Sequence, residues 1–501
     1  MDRPREAGAP IPSTAPVAAG SASNARLVGL ILGPVLCVVM LLLPAPEGLP
    51  PAGWKVAAIA VLMAVWWVTE AIPIPVTGLL PLALFPTLGV ATMAETSAPY
   101  ADPLIFLFLG GFLIALGLER WNLHRRIALR VVSVVGTRPA ALVGGFMLAT
   151  AFLSMWVSNT ATAVMMLPIG LSVIALLDRD GTGAGGFATA LLLGIAYAAS
   201  IGGLATLIGT PPNALLAAFM GRTYGVEIGF AQWMAIGLPL TAALLLCAWL
   251  ILTRIAFALP RAAVAGSTKL IRGELAALGR LTGPEIRVGL VFLAAATLWV
   301  ARPALAGVLP AGVNDTVIAI AAGVLLFIVP AGAGTPAGTA LLDWTAAKRL
   351  PWGVLLLFGG GLSLAAVISK SGLAAWIGAG FAGLGAWPVI LVVLLVTAGI
   401  IFLTELTSNT ATAAAFLPLM ASVAPALAID PFLLTIPVAL AASCAFMLPV
   451  ATPPNAIVFG SGHLTVAQMA RAGFLLNLAA IAAIVGLVWL LVGPVFATQG
   501  R

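Results

Sequence analysis

The sequence predicts an all-α polytopic membrane protein, and three observations carry that expectation. Hydrophobic residues make up 62% of the chain and charged residues 8%, whereas about a quarter of a soluble domain is charged. Mean hydropathy is +1.15. Apolar runs such as Leu27 to Pro44, Ile236 to Leu252 and Phe474 to Val492 have the length that crosses a hydrocarbon core of about 30 Å. Backbone polar groups cannot stay unpaired in lipid and no barrel-like alternation is present, so these runs must be helices.

The elements follow in order. Residues 1–25, rich in Pro, Ala, Ser and Gly, read as a disordered cytoplasmic tail without the apolar core of a signal peptide. Eleven spanning helices are expected at 27–45, 54–71, 74–92, 103–120, 187–219, 232–255, 288–308, 315–332, 353–369, 432–460 and 471–494. Two further apolar segments double back. Their arms, 139–154 with 161–175 and 388–403 with 411–425, hold about 15 residues each and reach only about 22 Å. Both read as re-entrant hairpins that turn at Ser-Asn-Thr, a break tolerated at membrane depth only against protein or a wet cavity. An inside amino terminus places 18 of the 23 Lys and Arg residues on the cytoplasmic side and 5 outside, as membrane proteins prefer. The carboxyl terminus is then outside. The net charge of +7 belongs to cytoplasmic loops, and nucleic acid is not an expected partner.

An internal repeat organises the chain. Ser158-Asn159-Thr160-Ala161-Thr162 returns as Ser408-Asn409-Thr410-Ala411-Thr412, 250 residues later. Residues 158–168 and 408–418 agree at eight of eleven positions, and Thr210-Pro211-Pro212-Asn213-Ala214 returns as Thr452-Pro453-Pro454-Asn455-Ala456. Gly110-Gly111 and Gly359-Gly360 also correspond, and close helix packing explains them. After the first helix each half has five spans and one hairpin, an odd number of crossings that inverts the second half. Inverted repeats place a transport site near the bilayer midplane, where the halves meet.

The repeated residues suit an ion pair of cargoes. Hydroxyl, amide and carbonyl oxygens are ligands for a hard cation, while helix amino termini and hydroxyl donors suit an anion. The double proline removes amide donors and breaks the helix, which frees upstream carbonyls. Ser154 and Thr404 precede the tips by one turn and share a helical face with Ser158 and Ser408. Two Na⁺ sites are therefore expected: Ser154, Ser158, Asn159 and Gly209; and Thr404, Ser408, Asn409 and Ala451. Between them, Asn159, Thr160, Thr210, Asn409, Thr410, Thr452 and Pro453 are placed to receive a bipolar anion such as a dicarboxylate. No Lys or Arg lies in these segments, so bound Na⁺, the transported coupling ion, must offset the charge. No organic cofactor is expected.

Other polar residues read more plainly. Cys37, Cys247 and Cys444 are spaced as packing residues, and His124 and His463 form no ligand cluster. Glu405, at membrane depth beside the second tip, is a functional suspect whose first-half counterpart is Met155; a hydrogen bond or a local field outweighs direct ligation. Glu70 after Trp66-Trp67 reads as an interfacial anchor. An intramembrane enzyme lacks a nucleophile, base or metal set, and broken helices in inverted repeats favour alternating access over a channel.

These motifs, with Trp66-Trp67-Val68-Thr69-Glu70-Ala71-Ile72-Pro73, Asn122-Leu123-His124-Arg125-Arg126-Ile127-Ala128-Leu129 and Leu357-Phe358-Gly359-Gly360-Gly361, resemble the divalent anion/sodium symporter family over about residues 27–495. The resemblance implies an inner-membrane carrier of C4 dicarboxylates such as succinate, malate and fumarate. A sulfate carrier or a dicarboxylate exchanger of the same fold is the alternative. It also implies a homodimer in contact with lipid, in which a transport domain moves past a scaffold as an elevator. The expected division is 1–25 tail, 26–138 scaffold with an interfacial arm, 139–255 transport domain, 256–287 cytoplasmic loop, 288–387 scaffold with the second arm, and 388–501 transport domain.

Overall fold

A computed structural model describes residues 19–179, 185–260, 262–305, 307–310, 312–332, 334–336, 338–381 and 387–496. Residues 1–18 of the expected tail and 497–501 lie outside the described residues. The elements before the repeat's second half are α1 (Ala19–Leu42), α2 (Pro51–Thr69), α3 (Ile74–Thr77), α4 (Leu80–Thr87), α5 (Met93–Ser97), α6 (Pro103–Arg120), α7 (Leu123–Ser133), α8 (Pro139–Ser154), α9 (Asn159–Arg179), α10 (Gly185–Gly203), α11 (Pro211–Tyr224), α12 (Phe230–Leu250) and α13 (Ser267–Ala277). The second half comprises α14 (Gly283–Ala301), α15 (Asp315–Ile328), α16 (Trp344–Ala347), α17 (Trp352–Lys370), α18 (Leu373–Gly380), α19 (Val389–Thr404), α20 (Asn409–Ala426), α21 (Phe432–Ala442), α22 (Pro453–Phe459) and α23 (Val466–Phe496). Among the described residues the only extended pairing is an isolated bridge between Pro330 and Ala340.

Nine helices among the described residues are long and apolar enough to cross a bilayer. Three of the expected spans are not among them. The 74–92 span is split into α3 and α4, with prolines at 75, 81 and 86; the 315–332 span ends at Ile328, two residues before Pro330. The 432–460 span is broken between α21 and α22. The 187–219 span is broken in the same way, between α10 and α11, and α10 alone meets the length. Proline accounts for these breaks, because it donates no amide hydrogen and clashes with the preceding turn. The ninth long helix is not an expected span: α9, expected as a hairpin arm too short to cross, runs 21 residues through Pro168, and its stretch Asn159–Leu176 is long and apolar enough to cross. Helix α1 also begins at Ala19, inside the expected tail.

Burial shows which helices form the centre. Every residue of α10 from Phe187 to Gly203 is buried, and so is α21 from Leu434 to Ala442. A helix apolar all round and covered on every side is a core helix. The hairpin arms α8 and α9 pack on α10, and α19 and α20 pack on α21. The halves interlock: α22 packs on α9 and α10, and α11 packs on α20 and α21. Outside this bundle α1 packs on α2 and α6 on α15. Leu27, Ile31, Val35 and Leu42 of α1 remain exposed.

The amphipathic helix α7 is tied to the central loop. Arg126, 5% exposed, pairs through Nε with Glu285 Oε1 at 2.8 Å and donates to the carbonyls of Leu278 and Gly279 at 3.1 and 2.9 Å. Glu285 also closes the capping box that starts α14, accepting from Thr282 N at 2.7 Å. Arg125 pairs with Glu274 of α13 at 2.7 Å.

Candidate functional site

Each hairpin turns within four residues. Helix α8 ends at Ser154 and α9 begins at Asn159; α19 ends at Thr404 and α20 begins at Asn409. The fully buried Ser154 Oγ lies 2.6 Å from Asn159 Oδ1 and 2.6 Å from the Ala199 carbonyl of α10. The second half repeats this: the fully buried Thr404 Oγ1 is 3.0 Å from Asn409 Oδ1 and 2.9 Å from the Ala442 carbonyl of α21. A hydroxyl has one proton to donate. With the amides so oriented, each trio of oxygens is one donor short, a surplus of lone pairs that suits a cation.

The broken helices complete each cluster. Between α10 and α11 the chain turns through residues 204–210, and a Cβ on Gly203 would lie 2.9 Å from Asn159 Oδ1 and 3.0 Å from the Gly209 carbonyl. Ser154, Asn159 and Gly209 are thus brought together. Ser158 sits at the exposed tip, where its Oγ accepts from Ala161 N at 3.2 Å and caps α9. In the second half Ala451 is buried within the break, and Ser408 is half-buried before α20. Thr160 and Pro453 are exposed at the starts of α9 and α22, two helices that pack together, and Thr410 is half-buried.

Thr210 and Thr452, each 3% exposed, precede α11 and α22. Thr452 Oγ1 accepts from Asn455 N at 3.3 Å, whereas Thr210 Oγ1 lies 3.3 Å from Ser443 Oγ. That contact joins residues 233 apart and crosses from one half to the other. Tyr197 of α10 does so too, stacking edge-on with Phe446 at 5.4 Å and donating to the Met469 carbonyl at 3.4 Å. The two breaks therefore meet inside the bundle.

A model of the sodium:sulfate symporter transmembrane region matches residues 24–496. The chain belongs to this symporter family. It is 47% identical over 478 residues to the sodium-dependent dicarboxylate transporter SdcS of Staphylococcus saprophyticus, covering 94% of this chain and 92% of that protein. SdcS of Staphylococcus aureus strain USA300 is 45% identical over 464 residues, with 91% and 89% covered. Among solved structures, the YdaH transporter of Alcanivorax borkumensis matches with a TM-score of 0.51 at 14% identity, covering 94% of this chain and 97% of that one. This last likeness concerns the fold alone. As a member of a transporter family, the chain is not an enzyme.

The symporter fold uses residues that the sequence reasoning did not place in the site. Asn213 Nδ2 donates to the carbonyls of Gly203 and Thr206 at 3.1 and 2.8 Å, and Asn455 Nδ2 donates to those of Ala445 and Leu448 at 3.4 and 3.0 Å. Each asparagine staples its own break. Their identity in the two Thr-Pro-Pro-Asn copies was the available signal. Asn477 carried none, since it stands in no repeated motif, whereas Ser443 ends an Ala-Ala-Ser run at 441–443 that repeats residues 198–200. Glu405, singled out for its depth, is satisfied by hydrogen bonds: its oxygens accept from Phe446 N at 2.7 Å, Met447 N at 2.9 Å, Leu448 N at 3.0 Å and Asn477 Nδ2 at 2.8 Å.

Proposed function

We propose that this chain imports C4 dicarboxylates, succinate, malate or fumarate, across the inner membrane by coupling them to Na⁺. The single observation that carries the reading is the mirrored pair of hydroxyl–amide contacts, Ser154 with Asn159 and Thr404 with Asn409. Two like oxygen clusters suit two like ions, and two tips suit a solute with a carboxylate at each end. In this reading Ser154, Ser158, Asn159 and Gly209 hold one Na⁺, and Thr404, Ser408, Asn409 and Ala451 hold the other. Asn159, Thr160, Thr210, Asn409, Thr410, Thr452 and Pro453 line the anion's place. Residues 139–178 and 388–428 hold no Lys or Arg, so the anion's charge is met by the ions and by the amino ends of α9 and α20. Anion binding then requires Na⁺. The names of the relatives, both sodium-dependent dicarboxylate transporters, support this coupling.

The same reading assigns α8–α12 and α19–α23 to a moving transport domain, and α1–α7 with α14–α18 to a dimeric scaffold. Eleven crossings, with an inside amino terminus and an outside carboxyl terminus, complete it. Uptake into liposomes of labelled succinate, malate, fumarate and sulfate, with Na⁺ or choline outside, tests the function. Na⁺-dependent succinate uptake is expected. Uptake indifferent to choline, or confined to sulfate, contradicts it, and uptake that needs internal dicarboxylate makes the protein an exchanger.

A further inference from the structure

The two tips match closely, but the support behind them does not. In the first half Met155 follows Ser154, and its carbonyl accepts from Thr206 Oγ1 at 2.6 Å. In the second half Glu405 follows Thr404 and is 3% exposed. Its contacts all come from N–H donors, the three successive backbone amides of residues 446–448 and the Asn477 amide. That is the setting of a carboxylate in a backbone nest. Helix α23 supplies the fit. Gly473 and Asn477 share one face of it, and a Cβ on Gly473 would collide with the Phe446 carbonyl.

Amides orient a carboxylate and lower its energy without cancelling its charge. None of the ion pairs among the described residues involves Glu405. A net negative charge therefore stands beside Thr404, one residue from an oxygen of the second cluster, and Met155 offers none to the first. We propose that Glu405 makes the two cation sites unequal: the second-half site fills at lower Na⁺ concentration, and the first-half site fills after it. The inference rests on the reading of the tips as Na⁺ sites. Adjacent residues keep the carboxylate within about 12 Å of the Thr404 hydroxyl, and a unit charge at that range, with an effective dielectric constant of about 20, changes cation affinity about tenfold or more.

Hydrogen exchange on the purified full-length protein, titrated with NaCl against choline chloride at constant ionic strength and without dicarboxylate, tests the order. Backbone protection at residues 405–412 is expected to reach its midpoint at about tenfold lower Na⁺ than at residues 155–162. Glu405→Gln should close that gap, while Asn477→Ala, which keeps the carboxylate and removes one donor, should preserve it. Coincident midpoints in the unaltered protein, or earlier protection of the first tip, overturn the proposal, and this arm holds even where a variant fails to fold. A gap that survives Glu405→Gln overturns it as well. Indifference of both tips to Na⁺ removes the cation-site reading itself, an outcome distinct from equal midpoints.

Discussion

The two halves hold their broken helices through opposite backbone groups. In the first, α12 reaches the carbonyls of the break: Trp233 Nε1 donates to Leu204 O at 3.0 Å and Thr241 Oγ1 to Ile201 O at 3.1 Å. In the second, Glu405 takes the amides of the break, and α23 contributes Asn477 to Glu405 instead. The asparagine staples and tip clusters are alike in both. Duplication has thus kept the tip oxygens and the asparagine staples alike, while the surrounding support was free to diverge as long as each buried polar group found a partner.

Removing one tip at a time should have the largest effect. Asn159→Ala and Asn409→Ala should each abolish Na⁺-driven succinate uptake while the protein still elutes as a folded species in size-exclusion chromatography. Normal uptake by either variant would show that its half is not needed.

The next largest effect concerns the amphipathic helix α7 and its second-half counterpart α18. Helix α18 contains no charged residue, whereas α7 is anchored by the buried Arg126 pair. Arg126→Ala leaves Glu285 buried without its partner, a loss of about 3–5 kcal/mol. A clear fall in the thermal unfolding midpoint is expected, with no comparable fall for Trp376→Phe, which removes the side-chain hydrogen bond that α18 makes to the Glu47 carbonyl.

Closer to the site, glycine lets the breaks lie against their neighbours. Cβ atoms at Gly237 and Gly473 would sit against the Leu204 carbonyl at 2.6 Å and against the Phe446 carbonyl, respectively. Overpacking of this kind costs about 1–3 kcal/mol. Gly237→Ala and Gly473→Ala should each reduce uptake severalfold, and the two losses should be of similar size if the halves are built alike. A loss confined to one of them would mark the other break as the more yielding.

The smallest effect is a pH dependence of the first arm alone. Burial lowers the pKa of His124 from its usual 6.5, assisted by Arg125 and opposed by its contact with the Leu118 carbonyl. The folded form then binds fewer protons than the unfolded one, so stability should fall as pH drops through about 6.5. Thermal unfolding measured from pH 8 down to about 5 should show this slope, and His124→Asn should flatten it.

What the sequence revealed divides along the same line. Helical class, the helix breaks at Ser-Asn-Thr and the nearness of Ser154 to Asn159 were legible because hydropathy and repeated motifs are local signals; the helical face expected to join Ser154 with Ser158 and Thr404 with Ser408 is not formed, since α8 and α19 end at Ser154 and Thr404. Span lengths were less so: the prolines near residues 75 to 86 and at 330 cut helices that hydropathy alone runs together. The Glu405 nest was hidden for a different reason. Its donors are backbone amides and an asparagine 72 residues away, so only tertiary packing joins them. Thr210 with Ser443 is another such pair, invisible until the halves are folded against each other.

In the proposed transport cycle, mirror-related breaks from the two halves converge on one site. A cryo-electron microscopy map of the protein with Na⁺ and succinate tests it most directly. Ion density is expected among Ser154, Asn159 and Gly209 and again among Thr404, Asn409 and Ala451, with an elongated density between the two tips. Succinate bound elsewhere, or tips separated by lipid, would contradict it.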